Sequence, residues 1–211
     1  MDRLEQAREV AGELDFADAC DDAVGALLAT LVADLPAGAR VLELGTGTGV
    51  GLAWCCSGLG SRRDVRIVSV ELDPSLHRRA ARLAWPPSVQ LLQGDAVALL
   101  PTLGAFALVF ADAPGGKWEG LDRTVEAVAP GGVLVMDDMT PQPWWPPAHT
   151  EAIATVRSTL GADERLRVEE LPVGSGVLLA RRCQPGAPAS TGGARGVSRA
   201  GPAGSDRGPG R

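Results

Sequence analysis

The chain has 211 residues, 45% of them hydrophobic and 22% charged, and a formal net charge of −6. That length supports one full-sized core rather than two comfortable domains, and 26 acids against 20 bases disfavour a phosphate-binding, nucleic-acid surface. No window approaches the ~18 unbroken apolar residues of a membrane span, and the charged opening MDRLEQAREVAGELD lacks a signal-peptide apolar stretch, so a cytoplasmic protein with no membrane or nucleic-acid partner is expected.

Two amphipathic stretches come first, Leu4 to Phe16 and Ala19 to Leu35; in the second, Val24, Leu27, Leu28, Leu31 and Val32 recur at helical spacing until Pro36. Apolar runs of strand length then alternate with helical patterns. Arg40 to Leu44 precedes a glycine loop and a helix over Val50 to Leu59, and Arg66 to Glu71 precedes a helix over Ser75 to Trp85. Val89 to Gln93 is followed by a helical Ala96 to Leu100, Phe106 to Ala111 by Gly120 to Val128, and Val133 to Asp137 by Thr150 to Leu160. Arg167 to Leu171 and Gly176 to Arg181 are separated only by a short turn, which reads as a hairpin. Strands apolar on both faces, alternating with helices, imply a parallel sheet covered on both sides. The expectation is a Rossmann-like α/β fold with a seven-stranded, mostly parallel sheet, a C-terminal antiparallel hairpin strand and helices on both faces.

The folded domain is expected to span residues 1–182, with the N-terminal helices in 1–35. From Cys183 to Arg211, 20 of 29 residues are Gly, Pro, Ala or Ser and only one is a larger aliphatic residue, so this stretch reads as a disordered tail. Cys20, Cys55, Cys56 and Cys183 show no CxxC or Cys/His metal spacing and read as buried thiols.

The most informative stretch, Val41-Leu42-Glu43-Leu44-Gly45-Thr46-Gly47-Thr48-Gly49-Val50-Gly51, lies where a strand gives way to a helix, the crevice in which open α/β sheets bind ligands. It fails the dinucleotide pattern G-x-G-x-x-G, because Val50 or Leu52 stands at the third glycine, and no Gly-Lys follows for a phosphate-binding P-loop. What fits is E-x-G-x-G-x-G from Glu43 to Gly49. This resembles the first motif of the class I S-adenosylmethionine (SAM)-dependent methyltransferases, over roughly residues 20 to 182. Such a cofactor offers a ribose diol and an adenine, and acids stand where these need partners. Glu71 ends the second strand, placed to accept ribose hydroxyls, and the resemblance gives Asp95, beside Ala96, the adenine amino group. Each acid alone also fits a helix cap. The cofactor set expected is Glu43, Gly45, Thr46, Gly47, Gly49, Glu71, Asp95, Ala96 and Asp112.

The fourth and fifth strands also end in acids, Asp112 and the pair Asp137-Asp138. This resembles the small-molecule O-methyltransferase branch of the catechol and caffeoyl-CoA type, in which acids at these strand ends hold a divalent cation. The resemblance therefore implies Mg²⁺ or another divalent ion at Asp112, Asp137 and Asp138, although that branch ends in Asp-Asn, not Asp-Asp. Lys117, the single lysine among 19 arginines, follows Asp112 by five residues rather than the usual three. An ammonium can give up its proton where a guanidinium cannot, so Lys117 is expected to assist deprotonation beside Asp112. Trp118, Trp144 and Trp145 flank the same strand ends and offer faces to a flat acceptor, while His149 reads first as a helix start. The N-terminal helices either cap the acceptor or form a homodimer contact. The function expected is methyl transfer from SAM to a hydroxyl of a small molecule. Its alternatives are metal-free N-methylation of an amine and a catalytically silent binding protein with the same loop.

Overall fold

Val41, Leu42 and Leu44 in strand β1 (Arg40–Leu44) are all fully buried, so both faces of this strand must be covered. The computed structural model, which describes residues 2–184, shows how. Helices α1 (Arg3–Glu13) and α2 (Asp22–Ala33) precede β1, and α3 (Val50–Leu59) follows it. The chain then alternates through β2 (Arg66–Glu71), α4 (Pro74–Ala80), β3 (Val89–Gln93), α5 (Ala96–Leu103) and β4 (Phe106–Ala111). A short turn α6 (Pro114–Lys117), α7 (Leu121–Ala127), β5 (Val128–Met136), α8 (Pro147–Ala162), β6 (Leu166–Leu171) and β7 (Val177–Arg182) complete it.

The sheet order is β3-β2-β1-β4-β5-β7-β6. The first five strands pair in parallel, and β7 inserts between β5 and β6, antiparallel to both. This is the expected seven-stranded sheet with its C-terminal hairpin. Because side chains alternate across a strand, Val41, Ile67, Leu108, Phe110 and Val135 face α2 and α3 on one side. Leu42, Leu44, Val109, Leu134 and Met136 face α5, α7 and α8 on the other. Each large apolar side chain so buried contributes about 1.5–3 kcal/mol. The tail expected from Cys183 lies outside the described residues apart from Cys183 and Gln184.

Helices α1, α5 and α8 depart from the sequence expectation by up to three residues at an end, and two others depart for a reason the structure shows. Helix α4 stops at Ala80 rather than Trp85, because the Trp85 indole N–H donates to the Ala80 carbonyl (2.8 Å) and Pro86-Pro87 follow. Helix α2 begins at Asp22, with Asp21 capping it through a bond from the Ala23 N–H, which leaves Ala19 and Cys20 in a linker. Strand β1 has β2 on one side and β4 on the other, so the chain leaves it in opposite directions. A crevice opens at the carboxyl ends of β1 and β4.

Candidate active site

Beyond Leu44 the backbone turns through Gly45, Gly47 and Gly49 at φ +98°, +54° and +94°, a region that side chains with a Cβ rarely enter. The Gly45 and Thr46 N–H groups donate to the Val70 carbonyl of β2 (2.9 and 3.2 Å). Glu71 then ties the turn to the next strand end: one carboxylate oxygen accepts from the Gly47 N–H (2.7 Å) and the other from the Asp73 N–H (2.8 Å). Gly49 is the N-cap of α3 and packs against the Trp85 ring; unlike Gly45 and Gly47, it does not line the cavity described below.

Glu43 is buried behind this turn, where Ser69 donates to it and Thr46 lies against Ser69. Burial pushes its carboxyl up to about 8, with the Ser69 bond opposing the shift. Asp95 caps α5 by accepting from the Val97 N–H (2.8 Å) and also faces the cavity with Ala96. The capping and ligand-facing positions therefore coincide in one side chain.

Asp112 sits directly beyond β4, its N–H bonded to the Leu44 carbonyl (3.0 Å). Burial pushes its carboxyl up to about 7, with Lys117 opposing, and pushes that of Asp137 up to about 6, with the Asp138 N–H opposing. Lys117 is 3% exposed. Its Nζ lies 3.3 Å from Asp138 Oδ2 and 3.7 Å from Asp112 Oδ1, under the Trp118 ring at 4.8 Å. The Nζ donates a hydrogen bond to Asp138 and forms an ion pair with Asp112.

These groups share one cavity of about 1090 Å³, above the ~300–1,000 Å³ of an ordinary small-molecule pocket. Of the site residues expected from sequence, all but Gly49 line it. Trp118, Trp145 and His149 form an aromatic wall: His149 stacks on Trp145 (4.2 Å, 9°) and meets Trp118 edge-on (5.2 Å), and its buried Nε2 has no hydrogen-bond partner among the described residues. Trp144 is 76% exposed and stays outside.

Sequence reasoning passed over Ser69, Ser175 and the 16–21 linker. Ser69 had a signal, a lone hydroxyl inside the apolar run RIVSVE. Ser175 had none. It reaches the site because antiparallel β7 returns its preceding turn to the carboxyl end of β5, where the hydroxyl lies 2.6 Å from Asp138 Oδ1 and 3.2 Å from Asp137 Oδ1. The same turn touches the N-terminal linker, since Gly174 abuts Val24 and Asp21.

The divalent cation implied by the resemblance does not fit this arrangement. Asp137 Oδ1 already accepts from the Asp138 N–H (2.7 Å), and Lys117 stands between the other two acids. Among the described residues, no group of three or more His, Cys, Asp or Glu side chains is arranged to hold a metal ion.

Comparison with known proteins agrees with this geometry. A family described as "Methyltransferase domain" matches residues 42–139. A Mycobacterium tuberculosis protein named "Probable O-methyltransferase Rv1220c" is 34% identical over 193 residues, covering 85% of this chain and 84% of its own. The O-methyltransferase TomG from Streptomyces achromogenes, solved in complex with SAM, superposes with a TM-score of 0.73 at 26% identity, over 87% of this chain and 90% of its own. The SAH-bound Podospora anserina methyltransferase PaMTH1 shares the fold, at 22% identity and a TM-score of 0.72, over 85% of this chain and 86% of its own. With a glycine turn and acids at successive strand ends on one cavity, the chain belongs to the class I SAM-dependent methyltransferases, in their O-methyltransferase branch.

Proposed function

We propose that the chain transfers the methyl group of SAM to a hydroxyl of a small, flat acceptor, with both molecules held side by side in the cavity. The observation that carries this reading is the convergence of Glu71, Asp95 and Asp112 from three different strand ends on the glycine turn. Each Glu71 oxygen accepts one backbone N–H and keeps a second lone pair, which suits the two ribose hydroxyls. Asp95 and Ala96 take the adenine edge, and Glu43, Gly45, Thr46 and Gly47 form the floor under the amino-acid end. Gly49 contributes by fixing the start of α3.

The acceptor lies against Trp118 and Trp145, whose faces suit an aromatic ring. Its hydroxyl donates to Asp112, which takes the proton as the oxygen attacks the methyl carbon. The carbon–sulfur bond breaks with its electron pair left on sulfur, giving S-adenosylhomocysteine and a methyl ether. Lys117 stabilises the developing oxyanion, a role that favours oxygen over an amine acceptor, whose nitrogen becomes cationic. The 16–21 linker on the cavity wall suits the capping role for the N-terminal helices. Four free thiols accord with a reducing cytoplasm.

The test is calorimetry with SAM followed by mass spectrometry of a panel of catechols, phenols and amines. Heat of binding and a methylated hydroxyl are expected. Absence of heat with SAM overturns the reading, and methylation confined to amines overturns the choice of oxygen.

A further inference from the structure

Lys117 is held unusually firmly for the only lysine of the chain. The turn before it is fixed by a Gly116 N–H bond to the Glu119 carbonyl (2.7 Å) and by the Thr124 hydroxyl donating to the Gly116 carbonyl (2.8 Å). Gly116 itself, at φ +98°, lies so close to Leu44 that a Cβ there would stand 2.4 Å from the Leu44 side chain. The lysine stem is thus directed inward, and its ammonium ends between carboxylates from two different strand ends, roofed by an indole face. On the far side, Ser175 and the Asp138 N–H hold the acids in place.

We propose that the Lys117 ammonium is the resident cation of this site, occupying the space between Asp112 and Asp138 in which the family resemblance implies a divalent metal, so that methyl transfer here runs without one. The inference rests on the methyltransferase reading above and assigns its charge-stabilising group. A divalent ion bound to both acids would need their oxygens at about 2.1 Å for magnesium. That would set two cations side by side where Lys117 is almost wholly buried. Lys117 links the two acids as such an ion would, but as a covalent part of the chain.

The proposal predicts that removing the ammonium uncovers the site. Manganese(II) would be titrated into the wild-type protein and into Lys117→Ala, each with SAM present, and binding read by calorimetry and by electron paramagnetic resonance of the free ion. Wild type is expected to show no binding at micromolar concentrations, and Lys117→Ala at least tenfold tighter binding, lost again in Lys117→Ala/Asp138→Asn. Tight manganese binding by wild type, or loss of its methyl transfer on EDTA treatment with recovery on adding Mg²⁺, overturns the proposal. So does a Lys117→Ala protein with native circular dichroism and no gain in manganese binding. Should the variant fail to fold, the two wild-type measurements still decide. Heat with SAM, recorded separately, reports on the methyltransferase reading, so the two ideas fail by different signs.

Discussion

Glu71 receives backbone N–H groups from the glycine turn on one side and from Asp73 on the other, so its carboxylate joins two loops before it meets a ligand. Hydrogen bonds to a charged acceptor contribute about 1.5–3 kcal/mol each. Glu71→Ala is therefore expected to weaken SAM binding by at least tenfold in calorimetry, because the turn loses its brace and the proposed cofactor site loses its ribose partner. Glu71→Gln, which keeps one acceptor oxygen, should fall between. Residues of this kind were legible in the sequence: an acid ending an apolar strand can be placed by counting, as Glu71, Asp95 and Asp112 were. The surroundings of Lys117 were not, because its direction depends on a Pro-Gly-Gly turn whose dihedral angles do not follow from local composition. The pairing of Ser175 with Asp137 and Asp138 joins residues more than thirty positions apart, beyond the reach of any local pattern.

Among the elements, α2 and α3 pack closely against each other. A Cβ on Gly58 of α3 would stand 2.3 Å from the Ala29 carbonyl oxygen of α2, which is backbone and cannot swing aside. Gly58→Ala is expected to force the helices apart and destabilise the protein by about 1–3 kcal/mol, seen as a lower thermal midpoint. Gly161→Ala in α8, where nothing lies within 4 Å, should leave the midpoint unchanged or raise it slightly. Periodicity made the strands readable almost to the residue, since β1, β2, β3 and β4 occupy the expected spans. It served less well at α4, where a tertiary contact, the Trp85 indole on the last-turn carbonyl, ended a helix whose sequence would have continued. It also missed the early start of β5 at Val128, because Pro130, Gly131 and Gly132 interrupt the apolar run and the pairing shifts between Phe106 and Leu108.

For the molecule as a whole, the site imposes a pH dependence on stability. Burial holds the carboxyls of Glu43, Asp112 and Asp137 up at about 8, 7 and 6, whereas the unfolded chain releases the same protons near pH 4. Between those limits the folded state binds more protons, so its stability is greatest at the acid side of the window and falls as pH rises toward 8. The carboxyls held low, Asp64 and Asp163, act below that window and do not reverse it. The urea midpoint without cofactor is expected to be lower at pH 8 than at pH 5.5, and Glu43→Gln, which has no proton to lose, should flatten the decline above pH 6. The contact between Gly174 and the Asp21–Val24 segment has a different consequence, concerning synthesis. Chains emerge from the ribosome amino end first, yet here residues 16–21, which lie against Gly47 and Gly51 through Phe16 and Cys20, are also met by the turn that precedes β7. A nascent polypeptide that has exposed everything through Asp138 carries the glycine turn and the acids Glu43, Glu71, Asp95, Asp112, Asp137 and Asp138, but still lacks the Ser175 turn. The cofactor pocket therefore gains its Ser175 wall only after the turn before β7 has been made.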